Sequence, residues 1–251
     1  MCGEKSSTSP LSYHTGNVPN GVASTPPGRL AILCPACPRP NINLPPNWQS
    51  APPELHFLYL VILAIDANFC LKNLYRSSYE KDPGLHTSLT YFVDPVPYLE
   101  HVHKYATQTD VSTCSGFRML AHVESKSSVG LCATGVGMCI CARHKLVRPL
   151  AVGDLQKGER YCNMDYIALS VAKSVETDNI LFSYDIACQW KINFQTRMMA
   201  CASELQIPVD KRIHFAIPKC HCKGHKTECQ CIHSMNIQVA GQTDREGIER
   251  T

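Results

Sequence analysis

From Leu55 to Ile65 the sequence reads LHFLYLVILAI, a nearly continuous apolar run followed directly by Asp66. Such a run lacks the polar alternation of a half-solvated strand, and it is too short to cross a bilayer, which needs about 20 apolar residues. It predicts a strand buried on both faces of a mixed or parallel sheet, with an acid at its end. The segment Ile180 to Ile186 (ILFSYDI) repeats the pattern and carries Asp185.

The rest of the chain is compatible with such a sheet. Hydrophobic residues make up 44% and charged residues 18% of the 251 residues, the balance of a globular protein. A formal charge of +3 excludes a uniformly basic nucleic-acid coat but leaves room for local phosphate contacts, for which Lys145, Arg148, Lys157 and Arg160 are the candidates. A plain solvated face is the competing reading for each of them. Fifteen cysteines, an odd number without a signal-peptide pattern, point to reduced thiols and not to a secreted disulfide framework.

Three regions follow from composition. Residues 1–33 form a Ser-, Thr-, Pro- and Gly-rich tail that is expected to be disordered. Residues 34–53 form a proline-studded extended arm containing Cys34-Pro35-Ala36-Cys37. Residues 54–251 form the core, with a Cys/His-rich insert at 219–233.

Within the core, Gly116 to His122 and Gly135 to Ala142 are expected to pair as a hairpin. Apolar residues at helical spacing predict a helix between Asp154 and Val175, and Ala187 to Ile207, free of Pro and Gly, predicts a second. Arg212 to Ile217 is a short strand stopped by Pro218. The order predicts an α/β fold with a mixed sheet and flanking helices. Tyr184 and Trp190 are expected in the interior, whereas Glu100, His101 and His103, in a proline-flanked stretch, are expected at the solvated surface.

Asp66 and Asp185, each near the end of an apolar strand, would be costly to bury without a partner or a metal. Strand ends in such sheets converge on one edge, so both carboxylates can serve one site. Two carboxylates about 4 Å apart repel by on the order of 4 kcal/mol at an effective dielectric near 20, and a divalent cation reverses the sign. Mg²⁺ or Mn²⁺ suits these hard oxygen ligands and activates water or a hydroxyl for attack on phosphorus. The competing reading is that each Asp caps a turn. Glu246 and Glu249, on one face of a helix starting at Thr243-Asp244, are both candidates for a third acid.

A second ligand chemistry is written in Cys and His. Cys34 and Cys37 form a CxxC half-site for zinc, or else a pair of free thiols. Cys141 and His144 form a CxxH, and His221, His225 and Cys229 recur at four-residue steps. A joint Zn²⁺ site of these five would tie the insert to the central hairpin. Cys220, Cys222 and Cys231 are alternative ligands.

The strings Leu63-Ala64-Ile65-Asp66-Ala67-Asn68-Phe69, Gly153-Asp154-Leu155-Gln156-Lys157-Gly158-Glu159-Arg160-Tyr161 and Ser183-Tyr184-Asp185-Ile186-Ala187-Cys188-Gln189-Trp190 resemble those of the KDZ (Kyakuja–Dileera–Zisupton) transposases. Cys34-Pro35-Ala36-Cys37-Pro38, Asn163-Met164-Asp165-Tyr166, and Thr243-Asp244 with Glu246-Gly247-Ile248-Glu249-Arg250 match in the same order.

The resemblance implies an RNase H-like (retroviral-integrase-like) core that cuts and rejoins DNA through an Asp-Asp-Glu triad. Asp66 and Asp185 would be the first two acids, and Glu246 or Glu249 the third. It further implies DNA as partner, homo-oligomeric assembly and a nuclear location, with no membrane role. Family members continue with a Trp-containing helix past the last Glu-Arg and carry a larger N-terminal cysteine cluster. By that comparison the chain is expected to be shortened at both ends. The alternative expectation is a catalytically inactive relic serving as a zinc-stabilised DNA- or protein-binding module.

Overall fold

The computed structural model describes residues 24–74, 88–105 and 130–234. The tail up to residue 23, the proposed strand at Gly116 to His122, and Glu246 and Glu249 all lie outside these residues.

The described core is an α/β fold built on a five-stranded mixed sheet. Its strands are β1 (Val61–Asn68), β4 (Gly135–Cys141), β5 (Val147–Leu155), β6 (Asn179–Ser183) and β7 (Arg212–Ala216), in the spatial order β5-β4-β1-β6-β7. A small antiparallel pair, β2 (Asn73–Leu74) with β3 (Leu131–Ala133), stands apart. β4 is antiparallel to both β1 and β5, whereas β6 is parallel to β1 and to β7. Hence β1, β5, β6 and β7 run the same way, and their C-terminal ends share one edge of the sheet.

The buried apolar run behaves as expected over its second half only. Val61, Leu63 and Ile65 enter the main core while Leu60, Ile62 and Ala64 enter a second cluster on the opposite face, so this strand is buried on both sides. The first half is instead a 3₁₀ helix, Pro53–Tyr59, because Pro52 and Pro53 fix φ and suit a helical first turn. Asp66 therefore stands inside the last turn of pleat of β1, two residues before its end.

Besides that 3₁₀ helix, six α-helices flank or cap the sheet among the described residues. They are α1 (Pro95–Tyr105), α2 (Tyr161–Lys173), α3 (Ala187–Trp190), α4 (Phe194–Ala200), α5 (Lys219–Cys222) and α6 (Thr227–His233). The predicted helix at 154–175 starts late, because Val147–Leu155 is β5, which supplies the hairpin partner of β4. The predicted helix at 187–207 is broken where Asn193 adopts φ +58°, a left-handed conformation that Asn tolerates. The proline-flanked stretch forms α1, started by Pro95, with Asp94 Oδ1 accepting from the Val96 N–H at 3.0 Å; His103 is exposed as expected, whereas His101 is half-buried.

Close approach of α2 to the sheet depends on glycine. Gly137 and Gly153 face each other across β4 and β5, and a Cβ at Gly137 would stand 2.8 Å from Ile167 Cδ1. At Gly153 it would meet Tyr98 Cζ at 3.0 Å and Ile167 Cδ1 at 3.1 Å. The helix can thus bring Met164, Ile167, Ala168 and Val171, all fully buried, down onto the strands.

The second binding element is polar. Asp165 of α2 is buried, and its carboxylate accepts from Trp190 Nε1 (2.6 Å), Arg197 Nε (2.6 Å) and Arg197 Nη2 (3.1 Å). Arg197 also donates to the carbonyls of Trp190 and Ile192 and lies 5.0 Å from the Tyr161 ring centroid. Tyr184 and Trp190 are wholly buried, in line with the interior role expected for them.

Removing one partner of a buried ion pair leaves an unpaired charge, at a cost of about 3–5 kcal/mol. Asp165→Ala should therefore lose about 3–5 kcal/mol of unfolding free energy in urea, whereas Met199→Ala, at an exposed position, should lose little. Equal losses would sink the network's role.

His101 packs against Tyr166 and Tyr105, and burial lowers its pKa from the usual 6.5, aided by Lys104. The stability that requires neutral His101 is then present above pH 6.5 and lost as pH falls through the lowered value. His101→Phe should flatten that acid-side decline in a pH series of thermal melts, and an unchanged slope would count against it.

Candidate active site and metal centres

The parallel register of β1 and β6 decides where the two aspartates go. Ala64 lies opposite Ser183, so Asp66 and Asp185, each two residues further on, leave neighbouring strands at matching levels. Their local poses match too. Asp66 Oδ1 accepts from the N–H of Ala67 and Asp185 Oδ1 from the N–H of Ile186, each at 2.7 Å. Both residues are half-buried, which leaves room for a ligand at the edge of the sheet.

A third acid reaches the same edge. β5 ends there at Leu155, and the loop to α2 turns through Gly158, at φ +67°, to present Glu159. Tyr184 donates its hydroxyl hydrogen to Glu159 Oε1. Burial first, then the charges of Asp185 and Asp66, push the Glu159 carboxyl well above its usual range, while the Tyr184 hydrogen bond works the other way. Burial and the charges of Glu159 and Asp185 raise the Tyr184 phenol. Glu159 thus senses both aspartates.

Glu159 is not among the acids that the sequence singles out. Its signal is an acid shortly after a strand parallel to β1, and the proline and glycine within Val147–Leu155 hide that strand in the sequence. Glu246 and Glu249 lie outside the described residues.

The Cys and His residues assemble into two groups, not the single joint site expected. In the first, ligand atoms of Cys34, Cys37, Cys141 and His144 all lie within 4.8 Å of one another. His144 Nδ1 is 3.2 Å from both Cys34 Sγ and Cys141 Sγ, and Cys37 Sγ is 3.3 Å from Cys141 Sγ. In a tetrahedron with zinc bonds of about 2.3 Å to sulfur and about 2.0 Å to nitrogen, ligand atoms stand roughly 3.5–3.8 Å apart. The group could therefore hold a metal such as zinc after small shifts.

Its electrostatics favour a cation. The Cys37 thiol donates to Cys141, which holds the Cys141 pKa down against its burial. The same hydrogen bond, with burial, raises Cys37, so the pair keeps one proton where a metal would displace it. Arg148 is buried and its charge acts on Cys37 and Cys139, so it serves this interior and not a phosphate surface.

The arm is thus not merely extended. Its half-site is completed from the end of β4, and Asn43 fastens the turn by donating to the carbonyls of Pro35 and Cys37.

The second group joins Cys188 to His225 and Cys229, again within 4.8 Å, with Cys188 Sγ 3.5 Å from His225 Nδ1. Among the described residues no such group links Cys141 or His144 to the insert. The physical reason is topological. The end of β4 faces the arm, whereas the insert follows β7 and packs on α3, where Ile217 N–H donates to the His233 carbonyl at 2.8 Å. Cys220 and Cys231 are exposed, and Cys222 is half-buried against the main core.

If the first group holds zinc, purified chain should contain metal that Cys37→Ser or His144→Ala reduces by about one ion per chain. Either change should also speed proteolysis of residues 34–53 severalfold. Metal content and cleavage that match the unaltered chain would remove the first group as a metal centre.

No curated protein and no solved structure matches this chain. The profile of the Kyakuja-Dileera-Zisupton transposase matches residues 59–251. That span includes both aspartates, Glu159 and the second Cys/His group. The chain therefore belongs to the KDZ transposase family.

Proposed function

We propose that this transposase-derived chain cuts and transfers DNA strands with Mg²⁺ or Mn²⁺ held by Asp66 and Asp185, on an RNase H-like core. The observation that carries the reading is the matched placement of Asp66 and Asp185 at one sheet edge, on adjacent parallel strands. A mixed sheet whose central strand bears the first acid also agrees with an RNase H-like core.

The donor set fits a hard divalent ion. Two half-buried carboxylates offer oxygen ligands, and their mutual repulsion falls when a cation lies between them. A bound ion supplies Lewis-acid activation of the attacking oxygen and charge stabilisation at the leaving oxygen. The protein's part is positional. The N–H groups of Ala67 and Ile186 each fix one carboxylate oxygen, and the Tyr184 hydroxyl anchors Glu159 beside them.

Glu246 or Glu249 is assigned the third acid by family resemblance. DNA as substrate and action in the nucleus rest on the family as well. Among the described residues no helix is long and apolar enough to cross a membrane.

The Cys/His groups favour a second reading, in which the chain no longer cleaves and serves as a zinc-stabilised DNA- or protein-binding module. Nicking assays separate the two. Asp66→Asn or Asp185→Asn should lower Mn²⁺-dependent nicking of supercoiled DNA by about 100-fold or more, with thermal melting little changed. Equal nicking by the unaltered chain and both variants assigns the cleavage to a contaminant. Zinc retention without any cleavage favours the binding module.

A further inference from the structure

The second Cys/His group lies at the very turn that presents Asp185. Cys188 belongs to α3, which starts two residues after Asp185, and it is buried at 5% exposure. His225, also 5% exposed, comes from the loop between α5 and α6, and Cys229 from α6 itself. Two chain segments far apart in sequence thus bring two thiols and an imidazole to one point. The 3.5 Å spacing of Cys188 Sγ and His225 Nδ1 is that expected across a tetrahedral zinc, roughly 3.5 Å for a sulfur–nitrogen pair.

The main chain of Asp185 also acts on the imidazole, opposing the lowering of its pKa by burial. Metal-bound histidines are commonly oriented by an outer backbone or carboxylate group of this kind. His221, one turn earlier in α5, lies close enough for its charge to act on His225. Soft thiolates with imidazole select zinc over the hard ions that the acids would take.

We propose that Cys188, His225 and Cys229 form a zinc site that locks the main chain carrying Asp185. The part of this claim that concerns catalysis rests on the reading of Asp185 as a metal-binding acid. The zinc site itself does not.

α5 and α6 are short, and Cys220, Cys231 and Ile232 are exposed, so the ion would add a cross-link where the insert meets α3. With it, α6, the His225 loop and α3 become one rigid corner. Cys188 is then held by a metal bond three residues past Asp185, and the Asp185 side chain inherits the fixed position of that turn.

The test uses the full chain prepared with zinc present. Metal content should be about two ions per chain, falling to about one in Cys229→Ser and in Cys188→Ser. Cys229→Ser is the primary variant, since Cys188 is a core residue. Amide exchange across residues 184–190 should rise at least tenfold in Cys229→Ser and stay unchanged in Cys37→Ser, which empties only the other group.

Unchanged metal content in Cys229→Ser overturns the site. Loss of the ion without faster exchange at 184–190 overturns the lock. Failure of the acid reading looks different: no Mn²⁺-dependent nicking in the unaltered chain, with the metal and exchange results intact.

Discussion

The buried carboxylate of Asp165 holds together the half of the molecule that matters for chemistry. It binds the Trp190 indole and the Arg197 guanidinium at the same time, and so joins α2 to α3 and α4. A charge in this position would be costly alone, and it is tolerated because both oxygens are engaged by charged or polar donors. Trp190 in turn packs edge-on against Phe182, Tyr184, Phe194 and Phe215. Asp185 lies between Tyr184 and the start of α3, so its position follows from contacts that begin at Asp165.

Sheet direction explains why three acids from distant parts of the chain meet. A strand antiparallel to β1 ends at the opposite edge, so β4 contributes no acid beside Asp66, and its end, with Cys141 and His144, faces the arm instead. β5 reverses again and returns its C-terminal loop, with Glu159, to the edge shared by Asp66 and Asp185. The same alternation thus keeps the first Cys/His group away from the edge of the three acids, whereas the second group stands beside Asp185.

Long-period patterning made part of this legible. The apolar runs ending in Asp66 and in Asp185, the helix around Ile167 and the interior place of Trp190 are all visible in residue order, because burial on both faces leaves few polar positions. β5 was not legible. Its sequence VRPLAVGDL contains a proline and a glycine, both of which argue against a strand, yet Gly153 is needed for the approach of Tyr98 and α2. The grouping of Cys34 with Cys141, and of Cys188 with His225, was equally hidden. Spacing along the chain shows half-sites, whereas the pairing of half-sites depends on which strand end faces which loop.

Glu159 gives the acid edge a property that spacing alone does not suggest. Its carboxyl is held toward the neutral form by burial and by the charges of Asp185 and Asp66. A neutral third carboxyl lets the three groups sit together without the full repulsion of three charges, which in a partly dry site would exceed that of the pair alone. A divalent cation between the aspartates would reverse the field at Glu159 and favour its ionised form. Were an ion held at this edge, its binding would be coupled to release of a proton from Glu159, with the Tyr184 hydroxyl as hydrogen-bond donor to the new charge.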